Sequence, residues 1–89
     1  MAKARKKPKI SFPFVEVDWE DIVSDDAWVG AENLPEPAKM HTRAFLVKET
    51  TRAIYLAATL DIAQPPHVNF GEVITIPKGC VLKMRKVRR

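Results

Sequence analysis

The residue types that ordinarily do chemistry are few in this chain and poorly spaced for it. Cys80 is the single cysteine, and His41 and His67 are the two histidines. A thiol nucleophile needs an imidazole to take its proton and a third group to orient that imidazole. Nothing close to Cys80 in sequence supplies either, so Cys80 reads as a small thiol packed among hydrophobes. The two histidines are far apart and no second cysteine exists, which removes zinc-type ligand spacing. His41, near a strand start, and His67, in a loop, read as exposed or hydrogen-bonded side chains. Carboxylates are plentiful between Asp18 and Asp26, but Asp21, Asp25 and Asp26 lack the odd-position spacing, the central glycine and the terminal Glu of a calcium loop. Gly30, Gly71 and Gly79 are too dispersed to cradle a phosphate, and the only serines are Ser11 and Ser24. The expectation is a protein that is not an enzyme, with no catalytic residue, no metal, no cofactor and no small-molecule substrate.

Charge is the more informative feature, because it is segregated. Residues 1–9 carry five basic side chains (Lys3, Arg5, Lys6, Lys7, Lys9) and no acid. Residues 10–38 carry eight acids (Glu16, Asp18, Glu20, Asp21, Asp25, Asp26, Glu32, Glu36) and no base. Residues 39–79 are mixed, and residues 80–89 carry five more bases (Lys83, Arg85, Lys86, Arg88, Arg89). The formal net charge of +4 hides this layout. Lys and Arg at such density attract polyanions by neutralising phosphates and releasing counterions, and flexible basic arms can follow a backbone or enter a minor groove. The two basic segments would form one patch if the last strand lies near the arm. The competing expectation is that they aid solubility or sit over the chain's own acidic segment.

An 89-residue chain is one domain with a small core and little room for an internal cavity. With one cysteine, no internal disulfide supplements that core. The longest apolar run, Ala53–Ala58, is far short of the ~20 residues a membrane-spanning helix needs. Ile10–Val17 is broken by Pro13 and Glu16, unlike a secretory leader. An intracellular location is expected.

The elements that must position these charges read mainly as strands. Residues 1–9 have no core-forming side chain and are expected to be a flexible, disordered arm, with a single domain over residues 10–89. Val15, Val17 and Trp19 alternate with Glu16, Asp18 and Glu20, the period of a half-buried strand. Pro13 confines the Phe12–Phe14 stretch to a strand start or an edge. Residues 20–39 read as a long connection with a helical turn at Asp21–Ser24, carrying Trp28 back onto the domain. Arg43–Lys48 forms the second strand. Residues 52–60 fit a strand or a helix; their β-branched and aromatic content and their shortness favour strand. Asp61–Gly71 reads as a loop, Glu72–Ile76 as a strand, Pro77-Lys78-Gly79 as a tight turn, and Cys80–Val87 as the last strand with Leu82 and Met84 on one face. Trp19, Phe45 and Tyr55 are expected in or near the core, and Trp28 and Phe70 in loops. The sum is an all-β fold: a small five-stranded antiparallel SH3-like barrel with a long first loop. Closure would remove exposed sheet edges.

Val15-Glu16-Val17-Asp18-Trp19-Glu20-Asp21-Ile22 followed by Trp28, together with Phe45-Leu46-Val47-Lys48-Glu49, Ile54-Tyr55-Leu56-Ala57 and Ile76-Pro77-Lys78-Gly79-Cys80-Val81, resembles small uncharacterised proteins encoded by tailed bacteriophages. The resemblance spans roughly residues 15–82 and leaves out both basic ends. It implies a phage or prophage origin, action in the cytoplasm of a bacterial host, and a β-rich fold; it carries over no catalytic residue.

The first functional expectation is a non-enzymatic phage-type accessory protein. It would bind nucleic acid through Lys3, Arg5, Lys6, Lys7 and Lys9 at one end and Lys83, Arg85, Lys86, Arg88 and Arg89 at the other. The alternative is a protein–protein inhibitor or adaptor acting on a host enzyme or defence complex. It would grip a basic partner through the acidic loop 18–37, with Asp25 and Asp26 steering and Trp28 anchoring. A third possibility is a structural component of the virion. No membrane partner is expected.

Overall fold

The computed structural model describes residues 11–24 and 26–88. The expected disorder of residues 1–9 lies outside the described residues, as do Lys3, Arg5, Lys6, Lys7, Lys9, Asp25 and Arg89 among the candidate site residues.

Five antiparallel strands form one sheet: β1 (Phe14–Asp21), β2 (Ala38–Glu49), β3 (Ala53–Gln64), β4 (His67–Pro77) and β5 (Val81–Lys86), in the order β4-β3-β2-β1-β5. The alternation read from Val15, Val17 and Trp19 is realised; all three are buried, with Glu16 and Asp18 on the opposite face. Across the sheet, Ala44, Ile54, Leu56 and Ile76 complete the buried cluster, and Leu46, Ile74, Cys80, Val81 and Met84 pack against it. That single cluster takes side chains from both outermost strands, so the sheet must curl over its own inner face. Bulges in the β2–β3 pairing at Leu46–Lys48 and in the β1–β5 pairing at Asp18–Trp19 supply local bending of the kind such curling needs.

The expected closed barrel is not formed. β5 pairs with β1, and no ladder joins its other edge to β4. β5 is six residues long and carries Lys83, Arg85 and Lys86. Charges of this kind keep an edge strand from taking another partner.

Residues 53–64 are strand throughout, which resolves the strand-or-helix alternative. The expected loop at 61–71 is replaced by a β-ribbon. β2 pairs with β3 only as far as Phe45↔Ala57, and beyond that point β3 and β4 pair with each other alone. The pairs Thr59↔Gly71, Leu60↔Phe70 and Asp61↔Asn69 lead to a turn at Pro65-Pro66, whose peptide bond is cis. Proline has no N–H to donate to a ladder, so the pair of prolines ends the strands rather than the whole segment. The expected helical turn at Asp21–Ser24 is absent; a 3₁₀ turn occurs instead at Ala31–Asn33, closed by Asn33 N–H donating to Gly30 O at 3.0 Å. Leu82 and Met84 do not share an environment. The irregular β1–β5 pairing sets Trp19 opposite Val81 and Val17 opposite Met84, and Leu82 is left exposed.

Glu72 has φ of 55°, the left-handed region, at the base of the ribbon. A side chain with a Cβ is strained there by about 1 kcal/mol, and glycine is not. Glu72 is exposed and forms no ion pair among the described residues. Glu72→Gly should therefore raise the unfolding free energy by about 1 kcal/mol in urea titration. A fall would show that the Glu72 side chain contributes more than its backbone costs.

Candidate nucleic-acid interface

The outer face of the sheet sorts the charges that the sequence lists in separate blocks. β1 presents Glu16, Asp18 and Glu20. Pairing with β2 sets Glu16 opposite Arg43, Asp18 opposite His41 and Glu20 opposite Lys39. Pairing with β5 sets Glu16 opposite Arg85 and Asp18 opposite Lys83. An acidic strand is thus flanked by two basic ones, and opposite charges directly across a ladder stabilise it.

Glu16 is the node of this arrangement. Its side chain is only 16% exposed and forms ion pairs with Arg85 and with Arg43 Nε at 3.1 Å, while His41 Nε2 lies 4.0 Å away. His41 Nδ1–H donates to Asp18 Oδ1 at 2.6 Å. Arg43 also lies over the Phe14 ring, 5.8 Å from its centroid, and Phe14 meets Phe45 edge-on at 5.0 Å. Glu16, Asp18, His41, Lys83 and Arg85 line a shallow polar hollow. The hollow holds a base and acids at hydrogen-bond distance, but among the described residues no group of three potential metal ligands comes together. Cys80 is partly buried against the core, on the opposite face from His41.

The ten basic candidates therefore divide. Lys83 and Arg85 face acids on β1. Lys86 sits opposite Val15, on the other face, and is exposed, as is Arg88. These last two lie where β5 ends, and β5 ends beside the start of β1: Val87 N–H donates to Phe14 O at 2.7 Å. On the other side of the same entry, Leu46 N–H donates to Pro13 O at 2.8 Å. The exit of β5, with Lys86 and Arg88, is thereby held beside the entry of β1. The entry also touches the ribbon, where Phe12 meets Phe70 edge-on at 5.5 Å. Phe70 belongs to β4 rather than to a loop, and it stays partly exposed.

The acidic loop leaves from the far end of β1. Every described residue from Asp21 to Pro37 is exposed. Trp28, expected to fold back onto the domain, does not: its relative exposure is 102%. Asp26 is exposed beside it. Trp19 is the core tryptophan, its indole N–H donating to Thr42 Oγ1 at 2.9 Å. Phe45 and Tyr55 are half-buried on the outer face, the latter under Lys48 at 5.5 Å. The Ile22–Pro37 connection holds Ile22, Val23, Trp28, Val29 and Leu34, yet all five are exposed.

No family model, curated protein or solved structure matches the chain. Its geometry alone bears on function. Sequence order hides the feature that matters most here, the meeting of Phe14 with Val87. Only the β1–β5 register reveals it.

Proposed function

We propose that this chain is a non-enzymatic accessory protein of phage type that binds nucleic acid through its converging basic segments. The observation that carries the reading is the Val87–Phe14 hydrogen bond, which brings the exit of β5 to the entry of β1. Lys3, Arg5, Lys6, Lys7 and Lys9 would act with Lys86, Arg88 and Arg89 as one phosphate-binding patch. Lys83 and Arg85 would not, because acids on β1 already face them. The order of the chain's parts supports a scaffold on the SH3-like plan with its barrel left open: a long first loop, a three-strand meander, a 3₁₀ turn and a last strand returning to β1. With no base-reading element in the patch, binding would be to the phosphate backbone and only weakly sequence-dependent.

The test is salt dependence. If each of the eight cations occupies one phosphate of duplex DNA, log K should fall against log salt with a slope of about −7. Neutralising Lys83 and Arg85 to Gln should leave that slope unchanged. Absence of salt-sensitive binding to DNA or RNA at low ionic strength would end the proposal.

A second reading, a protein-binding adaptor or inhibitor, is favoured by one specific observation: Trp28 projects entirely into solvent from an acidic loop. A large aromatic ring on a surface loop is a suitable interface anchor. Capture from bacterial lysate that survives nuclease and is lost on Trp28→Ala would support this reading.

A further inference from the structure

The two outermost strands of the sheet are defended differently. Among the described residues no strand pairs with the outer edge of β4 or of β5. Such an edge is a row of unpaired N–H and C=O groups, a template for another strand unless charge blocks it. β5 carries Lys83, Arg85 and Lys86 within six residues. β4 carries no Lys or Arg and a single carboxylate, Glu72, in eleven residues. Its run Val73-Ile74-Thr75-Ile76 holds no charge at all. Val73 and Thr75 are exposed on the outer face, while Ile76 is buried and Ile74 packs against the core on the inner face.

The register fixes which backbone groups reach that edge. Lys78 N–H donates to Arg52 O at 2.8 Å, one step beyond the facing pairs Ala53↔Pro77 and Ile54↔Ile76. Hydrogen-bonded and non-bonded pairs alternate along an antiparallel ladder. Ile74 and Ile76 therefore turn their backbone groups to β3, and Val73 and Thr75 turn theirs outward. Pro77 also faces outward, where its missing N–H costs the β3–β4 ladder nothing.

We propose that two copies of the chain pair through this edge, β4 against β4, antiparallel across a two-fold axis at Thr75. That register sets Thr75 opposite itself with both hydrogen bonds exchanged, and Val73 N–H donates to Pro77 O of the second copy. Threonines directly opposite one another are a favourable cross-strand pair. On the inner face Ile74 meets Ile76 of the second copy, which covers the part of Ile74 that its own core leaves open. Glu72 comes opposite Lys78 of the second copy, a lysine already paired with Glu49 at 2.8 Å. Moving the axis to Ile74 or to Val73 would set Glu72 opposite an isoleucine instead, so charge selects the Thr75 register. The contact is isologous and joins two five-stranded sheets into one. A basic β5 edge then closes each end, so assembly stops at two. The interface is small and belongs to the weak class. It uses no part of the proposed phosphate patch and does not depend on nucleic acid.

Sedimentation of nucleic-acid-free full-length protein tests this across a concentration series reaching about 1 mM. The mean mass should climb from the 10.1 kDa of one chain towards twice that value and level off there, at low and high salt alike. Amide exchange at Val73 and Thr75 should slow about tenfold once about 90% of chains are paired. Thr75→Lys and Thr75→Glu, at an exposed position, should each keep the fold and be monomeric, because like charges then meet across the axis. Mixed in equal amounts, the two variants should form a dimer, because each lysine then meets a glutamate. A wild-type chain that stays monomeric throughout would overturn the proposal. So would amides at Val73 and Thr75 that are equally protected at every concentration, the mark of an edge covered within its own chain. Growth past two copies, or a mixture of the variants that stays monomeric while wild type pairs, would overturn it as well.

Discussion

Leu56→Ala should lower the unfolding free energy by about 3 kcal/mol, the usual cost of emptying a fully buried leucine site. Leu56 has no solvent exposure and lies between β2 and β4, opposite Leu46 on one side and Ile74 on the other. The core offers little to collapse into the space. Among the described residues it contains eight buried hydrophobic side chains, two of them alanines, and no second layer of structure covers it. A domain of this size has a total stability of about 4–13 kcal/mol, so the loss is a large share of the whole. Thermal unfolding should shift down by about 12–24 °C. Trp28→Ala, at a side chain fully exposed among the described residues, should move stability by no more than about 0.5 kcal/mol. Equal losses for the two substitutions would mean that the core has been misassigned.

Replacing Lys3, Arg5, Lys6, Lys7 and Lys9 with glutamine should remove most of the nucleic-acid affinity and most of its salt sensitivity. Each phosphate contact adds about 0.9 to the slope on duplex DNA, so losing five should change a slope of about −7 to about −3. Between 50 and 200 mM salt, full-length protein would then lose about 10⁴-fold in affinity and the variant about 40-fold. The three bases left in the proposed patch are Lys86, Arg88 and Arg89, which account for the remaining slope. Folding should be unaffected, because the substituted positions lie outside the five strands and the buried cluster. Anisotropy titrations of a labelled duplex at several salt concentrations measure both slopes. An unchanged slope would show that the run at 1–9 stays off the phosphates.

How much of this was legible in the sequence differs from segment to segment. β1 was readable because Val15, Val17 and Trp19 alternate strictly with acids, and one face is buried while the other carries charge. Residues 53–60 were ambiguous for a physical reason: Leu56 and Ala57 are both fully buried, so the strand has no polar face there and its period is blurred. The ribbon was misread because Pro65-Pro66, Asn69 and Gly71 resemble loop punctuation, whereas only the two prolines form the turn. Barrel closure was misread because the sequence gives strand count and order without showing whether the two outer edges meet. The sequence leads one to expect Trp28 folded back onto the domain because a large aromatic ring usually seeks cover, yet among the described residues it stays fully exposed.

The charge blocks were legible, but their meaning was not. Glu16 and Asp18 belong in sequence to an acidic segment, yet on the sheet they are partners of Arg43, Arg85 and His41. Lys83 and Arg85 belong in sequence to a basic end, yet they face that acidic strand. Alternation along β5 splits the basic end between two faces, and antiparallel pairing with β1 carries what remains to the start of the domain.

The functional account rests on the β5 exit lying beside the β1 entry, and amide chemical-shift mapping tests most directly whether the proposed phosphate patch forms there. With a short DNA duplex added stepwise to isotopically labelled full-length protein, the largest shifts among residues 11–88 should fall at Ser11–Phe14 and Lys86–Arg88. Lys83, Arg85 and the loop around Trp28 should stay nearly unmoved. Shifts centred on Trp28 or on the Glu16–Arg85 face, or no shifts at all, would contradict the account.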